Sequence, residues 1–187
     1  FMKKNGFFLS SLRLCSVILV SFFCSQNVVY AAQKSALQGS VGFWYASHPP
    51  LSELAQFDNL MLEPAHFDAP ARAFLRAQNT YLFAYLSVGE FDGNKQDLAE
   101  AGLSDSTSNT VNQAWASHVM NLADAKWQDY LEARAKTLYE QGYDGLFLDT
   151  LDSFQLLPAQ QQEQQRQGLI QILTKLQTST PELKLVF

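Results

Sequence analysis

Short apolar runs alternate with helical patterns along most of this chain. Residues 41–45 read Val-Gly-Phe-Trp-Tyr, a strand, and Pro49 and Pro50 then precede a short helix over 51–57. A second strand spans 59–63, and a helix follows near 70–78 with Pro70 suited to a first turn. The third strand, 81–88, is the most apolar and is broken at Gly89-Glu90-Phe91-Asp92-Gly93. Residues 93–121 are polar and patternless, and read as a long irregular loop carrying Trp115. Asp124 caps an amphipathic helix over 126–141, which Gly142 ends. A fourth strand, 145–148, runs into Asp149, and a Gln-rich helix from 159 to about 177 leads to a fifth strand at 183–187.

Strands separated by helices imply parallel pairing through right-handed crossovers. A doubly wound nucleotide fold requires a glycine-rich turn after the first strand, but the chain has Tyr45-Ala46-Ser47-His48-Pro49-Pro50 there. The pattern therefore favours an α/β chain forming the N-terminal part of a (β/α)8 TIM barrel. Such a barrel needs roughly 200 residues or more. Residues 32–187 are expected to be a partial barrel, truncated after about five strands.

The N-terminus has a different pattern. Lys3, Lys4 and Arg13 precede the apolar run 14–23, which is too short to span a bilayer but suits a secretory signal. Cleavage is expected after Ala31 or Ala32, giving a signal peptide over 1–31, no stable membrane insertion afterwards, and a periplasmic or secreted product. The alternative is an uncleaved anchor. The formal charge of the whole chain is -5. Residues 1–31 hold three of the 13 basic residues and none of the 18 acidic ones, so the remainder carries -8. That charge excludes a nucleic-acid binder that depends on phosphate contacts. Cys15 and Cys24 both lie in the signal segment, so the remainder has no disulfide, and His48, His66 and His118 lack metal-ligand spacing. No metal or organic cofactor is expected.

The strands end in polar or acidic residues: Tyr45, Glu63, Ser87 with Glu90, and Asp149 with Asp152. In a barrel these ends share the rim where active sites lie. Paired carboxylates there suit glycoside hydrolysis, one protonating the leaving oxygen and the other attacking the sugar or activating water. Asp149 is the principal candidate for a catalytic carboxylate, against a role as a turn or cap residue. Glu90 and Asp152 balance groove contacts against a solvated acid and a helix cap. Glu63 reads first as a cap or ion-pair residue. Trp44 and Tyr45 balance stacking on a sugar ring against packing in the barrel core, and alternation lets only one of them point inward. Trp127 reads as helix packing.

The segments FWYASHPP (43–50), YLSVGEFD (85–92) and YDGLFLDTLDSF (143–154) together resemble glycoside hydrolase family 114. The resemblance implies a (β/α)8 barrel with endo-α-1,4-polygalactosaminidase activity on the galactosamine-rich, partly N-acetylated exopolysaccharide of biofilms. It maps a catalytic Asp onto Asp149 and assigns the partner Glu to a later strand, beyond Phe187. The chain alone is then expected to be inactive. It also implies groove positions for Tyr45, Glu90 and Asp152, and allows a fused or associated deacetylase domain. Partly deacetylated galactosamine is cationic, which suits an acidic rim. The rival reading is a catalytically idle barrel that holds polysaccharide during export.

Overall fold

The computed structural model describes residues 37–187; the expected signal peptide and both cysteines lie outside them. The order of elements is β1 (Val41–Trp44), α1 (Leu51–Leu54), β2 (Asn59–Leu62), α2 (Ala69–Ala77), β3 (Tyr81–Ser87), β4 (Glu90–Phe91), α3 (Lys95–Glu100), β5 (Thr107–Asn112), β6 (Ser117–Met120), α4 (Ala125–Glu140), β7 (Gly145–Asp149), α5 (Ala159–Ser179) and β8 (Lys184–Val186). Five strands form one parallel sheet in the order β1-β2-β3-β7-β8. Each new strand is added on the same side of its predecessor, so the sheet is singly wound and has no switch point. This is the barrel progression expected from the sequence. Among the described residues, no helix is long and apolar enough to cross a membrane.

Strand alternation gives the sheet two unlike faces. Leu60, Leu62, Leu82, Ala84, Leu86, Leu146 and Leu148 point to the helices, where they meet Leu75, Trp127, Leu131, Leu138, Ile172 and Leu176 in one buried core. The opposite face carries aromatic rings. Phe43 stands edge-on to Phe147 with centroids 5.5 Å apart, and Tyr45 stands edge-on to Tyr85 at 5.3 Å. β1 and β7 are three strand positions apart. A flat sheet would hold them about 14 Å apart, at 4.7–4.9 Å per step. Contact between their rings therefore means that the sheet curls around this face, as a barrel wall does.

The helix ends follow the local chemistry. Asp68 accepts from Ala71 N–H at the start of α2, and Asp124 accepts from Trp127 N–H at the start of α4. Asn94 and Asp97 form a reciprocal capping box on α3. At the far end of α4, Gly142 adopts φ 89°, a left-handed turn that glycine takes without strain.

The reading of residues 93–121 as an irregular loop is corrected. They contain α3 and then the β5–β6 hairpin, which adds to β4 as an antiparallel sheet in the order β4-β6-β5. β5 reads Thr-Ser-Asn-Thr-Val-Asn and is half-exposed along its length, so it has no apolar alternation to betray a strand. Backbone pairing with β6 and polar anchors hold it instead, including Ser108 Oγ donating to the Val119 carbonyl at 2.8 Å.

A close approach of a helix to a loop tests the packing. A Cβ on Gly168, inside α5, would meet the carbonyl carbon and oxygen of Leu122 at 2.5 Å. Alanine normally improves a helix interior by about 0.5–1 kcal/mol. Here the obstacle is backbone, so Gly168→Ala is expected to destabilise the protein by about 1–3 kcal/mol. Gln164→Ala, exposed on the same helix, should stay within about 0.5 kcal/mol. Thermal or urea unfolding of the two variants checks this.

Candidate active site

The ladder between β3 and β7 pairs Tyr85 with Phe147 and Ser87 with Asp149. Asp149 is the last residue of β7 and is exposed. Its two carboxylate oxygens each receive one donor. The Tyr85 hydroxyl donates to Oδ2 at 3.0 Å, and the Thr150 backbone N–H donates to Oδ1 at 2.8 Å. Each oxygen keeps a free lone pair on a solvent-facing group. Burial and the negative charge of Asp149 raise the Tyr85 hydroxyl well above the ordinary phenol range, as does the hydrogen bond to Asp149. Tyr45 is raised by burial first, then by the charges of Asp149 and Glu63. Both phenols therefore stay protonated at any pH where the protein would work, and Tyr85 is a permanent donor to Asp149.

The turn after Asp149 is held by side chains. Thr150 adopts φ 60°, a left-handed conformation that costs a β-branched residue about 1–3 kcal/mol. Its Oγ1 lies 2.8 Å from Ser87 Oγ and accepts from Gly89 N–H at 2.9 Å. Gly89 is required there, because a Cβ would meet the Thr150 carbonyl oxygen at 2.1 Å. Ser87 Oγ donates to the Glu90 carbonyl at 2.8 Å. The β3–β4 connection and the turn after β7 thus interlock.

Glu90 is only 4% exposed. Its Oε1 accepts from Ser153 Oγ and from Asn112 Nδ2, the latter at 2.9 Å, and its Oε2 accepts from Ser117 Oγ. Burial alone would raise this carboxyl group. The hydrogen bonds from Ser117, Ser153 and Asn112 outweigh burial and hold it below the ordinary value of 4.5.

The structure therefore sorts the residues read from the strand ends. Asp149 and Tyr45 lie together at the rim, joined by Tyr85. Asp152 is exposed three residues on and makes no capping hydrogen bond. Trp44 points the other way: it packs against the helix-side core and its indole N–H donates to the Ala46 carbonyl at 2.8 Å. Glu90 faces inward to its three donors, so its carboxylate is not presented to the rim. Glu63 caps the turn at Pro64–His66 by accepting from Ala65 N–H at 3.2 Å. The strand-end reading passed over Tyr85, although counting back two residues from Ser87 places it on the same face. Among the described residues, no group of three His, Cys, Asp or Glu side chains is placed to hold a metal ion.

The model of glycoside-hydrolase family GH114 matches residues 31–186. The glycoside hydrolase domain of PelA from Pseudomonas aeruginosa is 51% identical, with a TM-score of 0.75, over 78% of this chain and 58% of that one. Ega3 from Aspergillus fumigatus, solved as a complex with galactosamine, has a TM-score of 0.62 at 11% identity, over 79% of this chain and 58% of that one. TtGalA, an α-galactosidase from Thermus thermophilus, has a TM-score of 0.57 at 14% identity, over 79% of this chain and 37% of that one. The last two likenesses concern the fold alone, and they agree with a (β/α)8 barrel of which these five strands are part. The chain spans 58% of the length of the PelA domain it matches. No curated protein matches it.

The network around Glu90 carries a pH signature. Its folded carboxyl holds a proton less tightly than the unfolded one, so the network stabilises fully above about pH 4.5. That stability is lost as the pH falls through the lower folded value. Glu90→Gln cannot titrate. It is expected to be less stable than the parent by about 1–3 kcal/mol near neutral pH. Urea unfolding should show this gap shrinking as the pH is lowered from about 5 to about 3. A gap independent of pH would mean that Glu90 is not ionised in the folded protein.

Proposed function

The chain belongs to glycoside hydrolase family GH114, and on that premise we propose that it cleaves within α-1,4-linked, galactosamine-rich polysaccharide, with Asp149 as its catalytic carboxylate. The observation that carries this reading is the state of Asp149. It is exposed at the end of a parallel barrel strand and is oriented by a Tyr85 hydroxyl 3.0 Å away.

A carboxylate held as an acceptor suits the nucleophile or the base. Asp149 either attacks the anomeric carbon or takes a proton from the attacking water, and the bond from that carbon to the leaving oxygen breaks. The leaving oxygen takes its proton from a second carboxyl group, which the sequence resemblance assigns to a later strand. Tyr45, 43% exposed beside Tyr85, offers an aromatic wall to a sugar ring. Asp152 offers a carboxylate to the ammonium groups of unacetylated units. Trp44 and Glu90 have no direct part in this assignment. Export through the N-terminal signal, to the periplasm or beyond, would bring the enzyme to a secreted polymer. The -8 charge of residues 32–187 would draw a cationic chain toward it.

The reading is tested in the full-length protein. Asp149→Asn is expected to lower the rate of galactosamine-polymer cleavage by about a thousandfold or more without changing the melting temperature. Tyr85→Phe should lower kcat by about tenfold, equivalent to roughly 1.4 kcal/mol of lost orientation. An unchanged cleavage rate in Asp149→Asn would remove Asp149 from the chemistry, and a parent protein that binds the polymer without cleaving it would favour the idle, polysaccharide-binding barrel. Equal cleavage of neutral glycans would overturn the substrate assignment.

A further inference from the structure

We propose that Glu90 is a positioning residue for Asp149: its buried carboxylate ties the β5–β6 hairpin to the turn after β7 and so fixes the direction in which the Asp149 side chain points. The inference rests on the reading of Asp149 as the catalytic group.

Three separate segments converge on the Glu90 carboxylate. Asn112 ends β5, Ser117 begins β6, and Ser153 lies four residues beyond Asp149. Asn112 and Ser117 are themselves a backbone pair, so the two oxygens of the carboxylate grip the turn end of the hairpin, one bonded to each strand. Ser153 is the only one of the three donors on the β7 side. It anchors the far end of the turn over 150–153. The near end is anchored separately, through Thr150 Oγ1 and Gly89 N–H. Glu90 is the next residue after Gly89, so both anchors lead back to the same two adjacent residues.

Control of this turn is control of Asp149. The Thr150 N–H that bonds Asp149 Oδ1 belongs to the peptide joining the two residues. Rotating that peptide removes the N–H from the carboxylate. Thr150 at φ 60° is in a conformation it would leave if unconstrained. Relaxation toward an ordinary conformation rotates this peptide. Tyr85 would then be the only remaining guide for the carboxylate, and a displacement of about 1 Å at a reacting group costs on the order of a hundredfold in rate. A structural role confined to the hairpin would need Asn112 and Ser117 but not Ser153.

Two variants of the full-length protein decide the matter: Ser153→Ala, which removes only the donor on the β7 side, and Glu90→Gln. On purified galactosamine-rich polymer, each is expected to lose about tenfold or more in kcat with KM within about twofold of the parent. Amide hydrogen exchange gives a second readout that needs no substrate. In Ser153→Ala the Gly89 and Thr150 amides should exchange at least about tenfold faster, while those of α4 keep their parental rates. Unchanged kcat in folded Ser153→Ala overturns the proposal. A raised KM at constant kcat also overturns it, since that pattern marks Glu90 as a substrate contact. If Glu90→Gln fails to fold, Ser153→Ala alone decides. If the parent cleaves no galactosamine polymer but the exchange rates respond as stated, the tether stands and the assignment of function fails.

Discussion

The register of β7 against β3 is the constraint from which the rest of this structure follows. It pairs Ser87 with Asp149 and sets Tyr85 two residues back on the same face. A slip of one residue would turn Asp149 toward the helices and Leu146 and Leu148 away from them. Both leucines are almost fully buried, at 0% and 2% exposure. Exposing each would cost about 1.5–3 kcal/mol. The apolar core therefore enforces the geometry of a polar site that it never touches, because the core and the site occupy opposite faces of the same strands.

A second tier of control is polar. The hydrophobic core fixes strands and helices and takes in Met120 at the end of β6, but β5 and the turn end of the hairpin offer it little beyond Thr, Ser and Asn. There a carboxylate takes over. A buried charge without partners would be strongly unfavourable, and Glu90 has three donors arranged around it. Such a network discriminates by geometry: it is favourable only when every donor arrives. An apolar side chain at the same place would tolerate a range of loop positions. The same logic applies to Asp124, which caps α4 through Trp127 N–H and also accepts from Ser106 Oγ at 2.8 Å, joining the hairpin's lead-in to the helix.

The parts of the molecule that were legible in the sequence are those written in short-range pattern. The strands around Leu60, Leu82 and Leu146 appear as apolar runs, and Asp68 and Asp124 as caps. Asp149 stands out as an acid closing an apolar strand. Alternation also says that Trp44 and Tyr45 face opposite ways. It does not say which faces the helices; that choice depends on Gly42, whose missing side chain admits Leu60 and Phe57 close to β1 on the helix side. The hairpin and the role of Glu90 are illegible for a different reason. The donors to Glu90 lie 22, 27 and 63 residues along the chain. No periodicity links them, and a glutamate after a strand reads the same whether it meets solvent or three donors.

Thr150 shows how the two tiers meet. Glycine would take φ 60° freely, and the strain of a β-branched residue there needs an offset. The offset is its hydroxyl. Oγ1 satisfies Gly89 N–H, a buried donor that would otherwise lack a partner, and reaches Ser87 as well. A glycine would relieve the strain but would leave that N–H unpaired and give the Asp149 peptide a wider range of rotation. The conformation is thus held from outside, by β3 and its connection to β4. The strain is stored one residue from the Asp149 carboxylate, where loss of either anchor would be felt before it reached the core.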